Sequence, residues 1–241
     1  MQATLITTES VELPFVPQPQ ESSSETSRKS RDWFLAFRHA QIPFHHDDRL
    51  LLLYGHALVF RLGLYAAGER VLAGEPIVYL DGAHTFDPFF IGRMARAHRR
   101  QPRALLSMIH VARAFTCHQL ERLISDCLMS ALDRYQSRIA IVSGVFDTFY
   151  DQSMPDQEAM RLFGRMIDAS HKLTQDGATL LFLCPQAPML TRTSRRGLDQ
   201  LRGQADRVIR VEEEHGLLKL HDEGEKAGKL WELPRTVLDI S

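Results

Sequence analysis

The sequence predicts an α/β domain in which a mostly parallel sheet is covered by helices on both faces. Short apolar runs alternate along the chain with longer segments whose apolar residues recur at helical spacing. The short runs are continuously apolar, which is typical of strands buried on both faces of a sheet. Helices inserted between such strands imply parallel crossover connections, and these two observations together define the fold class.

Five buried strands and one hairpin are predicted. The strands cover residues 50–54, 77–80, 105–111, 139–142 and 178–184. Residues 207–213 and 217–221 flank His215-Gly216, a turn sequence, and predict a terminal antiparallel hairpin at one edge of the sheet.

Four helices are predicted between the strands, over residues 57–72, from Asp87-Pro88 onward, behind Thr116, and over 155–175. Asp87 is suited to cap free N–H groups, and proline is tolerated at the first helical position. Thr116 and Gln119 have the spacing of a capping box. The apolar spacing behind them places Cys127 on the buried side of the helix. All three cysteines (Cys117, Cys127 and Cys184) are expected to be buried free thiols.

The chain divides by composition into an arm, a linker and a core. Residues 1–30 are rich in Ser, Thr, Glu, Gln and Pro and predict a flexible arm. Residues 31–47, with four aromatic side chains, predict a short helical linker packed on the core. Residues 48–241 predict the core domain.

Composition limits the function classes. The 241 residues suit one large domain. A net charge of -1 and a pI of about 6.8 argue against nucleic-acid binding by bulk charge but allow a local basic stripe. No leader sequence and no long apolar run is evident, so a soluble cytoplasmic protein without membrane contact is expected. The densest histidine cluster, His45-His46-Asp47-Asp48, is interpreted as a solvated loop, so neither a metal ion nor a cofactor is expected.

Two local strings, residues 77–88 and 111–119, resemble segments of the RecA/RadA recombinase core, a P-loop ATPase fold. The resemblance extends over about residues 48–222 and implies a RecA-like three-layer sandwich. The matching residues are Asp81, Thr85, Phe86, Pro88, Ala112, Arg113, Ala114, Phe115, His118 and Gln119.

The chain departs from that family at three nucleotide-handling positions. Ala83 stands where the family has a catalytic glutamate, and an alanine cannot orient or deprotonate water. Ser143 replaces the aspartate that helps to hold magnesium. No Gly-x-x-x-x-Gly-Lys-Ser/Thr occurs, and the first strand leads almost directly into a helix, so Gly55, His56 and Ala57 are expected to close the hollow that a phosphate loop leaves. With Asp81, these residues define a degenerate nucleotide site and predict no ATP hydrolysis.

Three further groups are candidates for binding. Gln186, Arg192, Arg195 and Arg196 follow the fifth strand, where the family has a DNA-binding loop; a solvated surface is the alternative. Six basic residues between Arg93 and Arg103 allow the same two interpretations. Phe37-Arg-His-Ala40 resembles the Phe-x-x-Ala motif by which recombinase subunits dock on one another, or it packs within its own chain.

The resemblance therefore implies a non-catalytic accessory or regulatory protein in DNA recombination or repair. It would bind single-stranded DNA, a recombinase or repair protein, or further copies of itself. The alternatives are an interaction regulator without nucleic-acid contact, as in cell division or a polymerase complex, and an ATPase with unconventional phosphate contacts. The absent loop and the substituted positions disfavour the last of these.

Overall fold

Ten strands and seven α-helices are present in the computed structural model, which describes residues 33–37, 40–43, 47–149, 154–185, 192–224 and 228–240. The strands are β1 (Trp33–Phe37), β2 (Ala40–Pro43), β3 (Leu50–Gly55), β4 (Ile77–Asp81), β5 (Ile109–Arg113), β6 (Ile139–Ser143), β7 (Thr179–Pro185), β8 (Arg207–Glu214), β9 (Leu217–Asp222) and β10 (Leu230–Pro234). The helices are α1 (Val59–Leu72), α2 (Pro88–Ala97), α3 (Pro102–Leu106), α4 (Cys117–Arg122), α5 (Leu128–Arg134), α6 (Asp156–Gln175) and α7 (Arg192–Gln204).

Eight of the strands form one sheet in the order β10-β9-β8-β3-β7-β6-β4-β5. The pairs from β8 to β5 are parallel, whereas β9 and β10 are antiparallel additions at one edge. This arrangement confirms the predicted mostly parallel sheet with a C-terminal antiparallel hairpin. The hairpin carries an additional strand, β10, that the sequence analysis did not predict.

Side-chain alternation divides the core into two halves, one on each face of the sheet. Leu51 and Leu53 of β3 point to the half that contains α1, α2 and α3, where Phe90 and Met94 are buried. Leu50 and Leu52 point to the opposite half, which contains α4, α5, α6 and α7. Strands β3, β4, β6 and β7 are therefore covered on both faces, which explains their continuous apolar runs.

Both predicted helix caps are present. The Asp87 carboxylate accepts a hydrogen bond from the Phe89 N–H at 2.8 Å, with Pro88 as the first helical residue. The Thr116 hydroxyl accepts from the Gln119 N–H at 3.2 Å. The Gln119 side chain accepts from the Phe115 N–H at 2.8 Å, one residue before the cap, so the box is displaced by one position.

The predicted helical linker is wrong where the structure describes it. Residues 33–37 and 40–43 form an antiparallel pair in which Phe37 stands opposite Ala40. Aromatic residues favour strands, and the two strands pair their own backbone groups. Strand β1 lies against α1 of the same chain, and β2 lies near β10.

Two further boundaries differ from prediction. Leu105 belongs to α3, which begins at Pro102, and strand β5 starts only at Ile109. Proline at a first helical position favours this local helix.

Between α4 and α5 the helix widens into a π-helical segment, Leu123–Cys127. The extra residue in that turn changes the helical phase, so Cys127 is exposed rather than buried; Cys117 and Cys184 are buried as predicted.

Candidate functional site

The carboxyl ends of β3, β4 and β6 lie on the same side of the sheet, at the C-terminal ends of the parallel strands, where open α/β sheets bind ligands. Strand β4 ends at Asp81 and β6 at Ser143, and these two residues stand opposite each other in adjacent strands. Strand β3 ends at Gly55, separated from β6 by β7. The structure therefore brings together Asp81 and Ser143, while the turn after Gly55 lies two strands away from β6.

The carboxylate of Asp81 is fully buried and is used within the chain. It accepts hydrogen bonds from the backbone N–H groups of Thr85 at 3.0 Å and Phe86 at 3.2 Å, and from the Ser143 hydroxyl at 3.0 Å. The Arg113 Nε atom lies 3.5 Å from its Oδ2 atom. Both carboxylate oxygens thus hold the loop after β4 rather than facing an open site.

Ser143 suits this arrangement because its hydroxyl is neutral and donates to Asp81. A second carboxylate at this position would face the first at a similar distance, and two such charges repel unless a cation or a shared proton lies between them. Burial raises the pKa of Tyr79 on the same strand, and the Asp81 carboxylate raises it further. The Asp81 carboxylate is therefore the acidic group of this pair of strand ends, and its side-chain contacts include the Ser143 hydroxyl and the Arg113 guanidinium.

The loop that carries Ala83 packs tightly against the end of β6. The Gly82 N–H donates to the Ser143 carbonyl oxygen at 2.9 Å. Gly144 has a φ of +67°, and a Cβ atom there would lie 2.4 Å from the Ala83 Cβ atom. Ala83 presents a methyl group at this contact and no group that could act as a base.

The turn between β3 and α1 contains three residues, from His56 to Leu58. Gly55 has a φ of +116°, and its Cα approaches β8 so closely that a Cβ atom would lie 2.3 Å from the Val211 carbonyl oxygen. The His56 N–H donates to that same oxygen at 2.8 Å. Gly55 is thus packed directly against β8, whereas His56 and Ala57 are exposed.

The N–H groups that follow are engaged as well. The Leu58 N–H is 3.3 Å from the His56 Nδ1 atom, and the Val59 N–H donates to the His56 carbonyl oxygen at 3.0 Å. The Phe60 N–H donates to the Ala57 carbonyl oxygen at 3.2 Å. A phosphate-binding loop needs several backbone N–H groups that point at the ligand, and four of the five N–H groups from His56 to Phe60 already have partners in the chain.

The basic residues after β7 occupy a helix rather than the predicted loop. Arg192, Arg195 and Arg196 are exposed on the first two turns of α7, at the carboxyl edge of the sheet. Gln186 lies outside the described residues. A buried stripe at helical spacing packs this helix on the core; its members are Ser194, Gly197, Leu198 and Leu201.

The stripe was hard to recognise because two of its positions are not apolar. Gly197 is required for close packing, since a Cβ atom there would lie 2.8 Å from the Phe146 ring. A serine and a glycine in place of larger apolar residues hid the helical period. None of the three arginines forms an ion pair with a carboxylate in the part of the chain that the structure describes.

Two exposed aromatic side chains, which the sequence did not predict, lie beyond the C-terminal ends of the parallel strands. Phe89, on the first turn of α2, is 75% exposed, and Phe115, just after β5, is 70% exposed. The His84 ring packs at a tilt against the Phe115 ring, with 4.5 Å between centroids. Phe115 lies in the segment 111–119 that resembles the recombinase core. An aromatic residue in such a segment can equally well be buried, so its exposure could not be predicted.

The described residues contain neither a cluster suited to bind a metal ion nor a helix that could span a membrane. No group of three or more His, Cys, Asp or Glu side chains among them is arranged to hold a metal ion. In the predicted histidine cluster, His45 and His46 lie outside the described part of the chain, and Asp48 pairs with Arg207 at 3.3 Å. None of the helices in the described ranges combines the length and apolar character needed to span a membrane.

The sheet order, the helices on both faces and the antiparallel strands at one edge define a RecA-like recombinase core fold. The crystal structure of the RadB recombinase is similar to this chain, with a TM-score of 0.60 and 16% sequence identity. The match covers 79% of this chain and 89% of that one. No family model matches the sequence, and a comparison with curated proteins finds no match.

Proposed function

We propose that this protein is a non-catalytic RecA-like accessory or regulatory protein in DNA recombination or repair, which acts by binding single-stranded DNA or a partner protein. The observation that carries the proposal is the internal use of the Asp81 carboxylate. Its oxygens are occupied by Thr85, Phe86 and Ser143, so the residue serves to shape a loop and not to hold a metal–nucleotide complex.

Three separate features support the loss of ATP hydrolysis. The turn after β3 is too short for a phosphate loop and its N–H groups are engaged. Ala83 offers no base. Ser143 supplies a hydroxyl that Asp81 already accepts. An active hydrolase needs all three functions at once, so restoring any one of them by substitution would leave the other two missing.

ATP turnover tests this proposal. Purified protein with magnesium and ATP, with and without single-stranded DNA, is expected to release phosphate at the background rate. Fluorescent ATP analogues are expected to show no saturable binding. Turnover that is present in the wild type and lost in Asp81→Asn would contradict the proposal and favour an ATPase with unconventional phosphate contacts. Turnover that Asp81→Asn leaves unchanged indicates a contaminating enzyme.

Single-stranded DNA binding is supported by the α7 arginines. They are exposed at one edge of the sheet, and no described carboxylate neutralises them. Guanidinium groups bind phosphates bidentately, so this surface suits a nucleic-acid backbone. Because the whole chain carries a net charge of -1, we expect affinity of about micromolar or weaker at physiological salt.

A regulator that binds proteins and not nucleic acid is the second candidate. The exposed Phe89 side chain favours it, since aromatic residues are enriched at protein interfaces. The Phe-x-x-Ala segment stays a predicted docking element, with Phe37 and Ala40 paired across β1 and β2. Binding to an oligonucleotide, and its dependence on salt, separates the two candidates.

A further inference from the structure

A small aromatic platform stands beyond the ends of β4 and β5. Phe115 remains 70% exposed although the tilted His84 ring packs against it, with 4.5 Å between centroids and 35° between planes. Exposure of a large apolar ring to water is unfavourable by about 25 cal/mol for each Å² of apolar surface. When the backbone around such a ring is held in place, the ring stays exposed in a fixed position and is available to a ligand.

The backbone on both sides of the platform is held. The Phe115 N–H donates to the Gln119 side chain at 2.8 Å, and the Ala114 N–H donates to the Asp81 carbonyl oxygen at 3.4 Å. The loop that presents His84 is held by the Asp81 carboxylate through Thr85 and Phe86. A preorganised ring loses little conformational entropy when a ligand stacks on it.

The charges around the platform favour an anionic ligand. The Arg113 side chain is 51% exposed and lies 3.5 Å from Asp81. The Asp87 carboxylate, in the loop that carries His84, lies 3.6 Å from Arg93, and the Glu158 carboxylate lies 3.9 Å from the His118 ring. Strand β7, which precedes the α7 arginines, lies three strands from β5, or about 14 Å at the usual strand spacing.

The limited apolar area argues against a protein partner at this point. Among the residues whose side-chain exposure the structure describes, which do not include 33–37, the exposed large hydrophobic residues are Phe89, Phe115, Leu217 and Leu230. The two leucines belong to β9 and β10, at the opposite edge of the sheet. A stable protein interface needs about 800 Å² on each side with an apolar centre, whereas single rings flanked by cations suit bases that stack one at a time.

We propose that Phe115, supported by His84, stacks on a nucleobase of single-stranded DNA whose phosphates are contacted by Arg113 and the α7 arginines. This inference rests on the proposed function, because it assumes single-stranded DNA binding and specifies how the bases are held. Stacking on a ring is tolerant of base identity, so binding is expected to show little sequence preference.

Fluorescence anisotropy with a labelled oligothymidylate, over a series of salt concentrations, tests the inference. Phe115→Ala is expected to weaken binding by about 5- to 100-fold, the range found for loss of one base–aromatic stack, without changing the salt slope. Phe115→Trp is expected to keep wild-type affinity and Phe115→Leu to lose it. Leu230→Ala, at the opposite edge, is the matched control and should bind as the wild type does.

Two comparisons separate the stack from the phosphate contacts. Replacing Arg192, Arg195 and Arg196 together with Ala should flatten the salt slope by about 2 units, at roughly 0.7 for each single-strand phosphate contact. Heparin, a polyanion without bases, should bind Phe115→Ala and the wild type equally. If Phe115→Ala binds the oligonucleotide as well as the wild type does, the stacking inference is overturned while the DNA-binding function stands. If the wild type fails to bind even at low salt, both are overturned and the protein-interaction candidate replaces them.

Discussion

The turn after β3 and the loop after β4 lie at the same end of the strands but are held in place in different ways. The first is three residues long, and its N–H groups bond to β8 and to the turn itself. The second extends from Gly82 to Asp87 and is held by the buried carboxylate of Asp81, the residue before it. One region is a tight turn, and the other is a longer loop that a single side chain holds in place.

The difference shows that one buried carboxylate can position a longer loop. The Asp81 carboxylate holds the loop that carries His84, and the His84 ring lies against the Phe115 ring. A short turn has no comparable freedom, because its few N–H groups are needed to end a strand and begin a helix. New binding properties are therefore expected beyond β4 and not beyond β3.

Removal of the Asp81 carboxylate should produce the largest effect on stability. Asp81→Ala leaves the Thr85 and Phe86 N–H groups and the Ser143 hydroxyl without their acceptor, and we expect the free energy of unfolding to fall by about 3–5 kcal/mol. Urea denaturation measures this change. Asp87→Ala, which removes only a helix cap in the same loop, should cost about 1 kcal/mol. Equal losses for the two variants would mean that Asp81 does not organise the loop.

Closure of the β3 turn can be tested at Gly55. Gly55→Ala combines a positive φ with a Cβ atom 2.3 Å from the Val211 carbonyl oxygen, so we expect a loss of about 2–4 kcal/mol in the free energy of unfolding. Gly74→Ala is the matched control, because Gly74 has a φ of +86° but no atom within 4 Å of the added methyl group. It should lose only the backbone term of about 1–2 kcal/mol. A Gly55 variant no less stable than the Gly74 variant would show that the turn can move away from β8.

The smallest effect is expected at His84, which has a φ of +56°. Both His84→Gly and His84→Ala remove the ring, but only glycine also relieves the backbone strain. The glycine variant should therefore be more stable than the alanine variant by about 1 kcal/mol in thermal unfolding. At Gly203 on α7, where an added methyl group meets nothing, the preference should reverse and Gly203→Ala should stabilise the protein. If the alanine variant is at least as stable as the glycine variant at position 84, as is expected at position 203, the backbone at His84 is not strained.

Much of the fold could be predicted because strands buried on both faces have a strong sequence signal. The leucine run from Leu50 and the isoleucine–valine run from Ile139 are apolar at every position, and each forms a strand. Helix α7 was missed because Ser194 and Gly197 occupy its buried face. The antiparallel pair β1–β2 was missed because a short aromatic segment fits a helix or a strand equally well.

The candidate site could be predicted in its residues but not in its contacts. Asp81, Ala83 and Ser143 were predicted to share one site, and the structure places Asp81 next to Ser143. The direction of the Asp81 carboxylate depends on how the loop from Gly82 folds back, which no local pattern specifies. The exposure of Phe115 likewise depends on β5 being the last strand of the sheet, a property of strand order.

The position of β3 in the sheet has a consequence for synthesis on the ribosome. Leu50 pairs with Leu180 of β7, and Leu51 pairs with Arg207 of β8, so both neighbours of β3 are translated much later. Roughly three quarters of the chain precedes Thr179. Throughout that interval the four successive leucines of β3 lack both partner strands, and an unpaired apolar strand in a nascent chain is prone to aggregate. Folding of this protein in the cell is therefore expected to depend on chaperones that shield the region around residue 50 until translation is nearly complete.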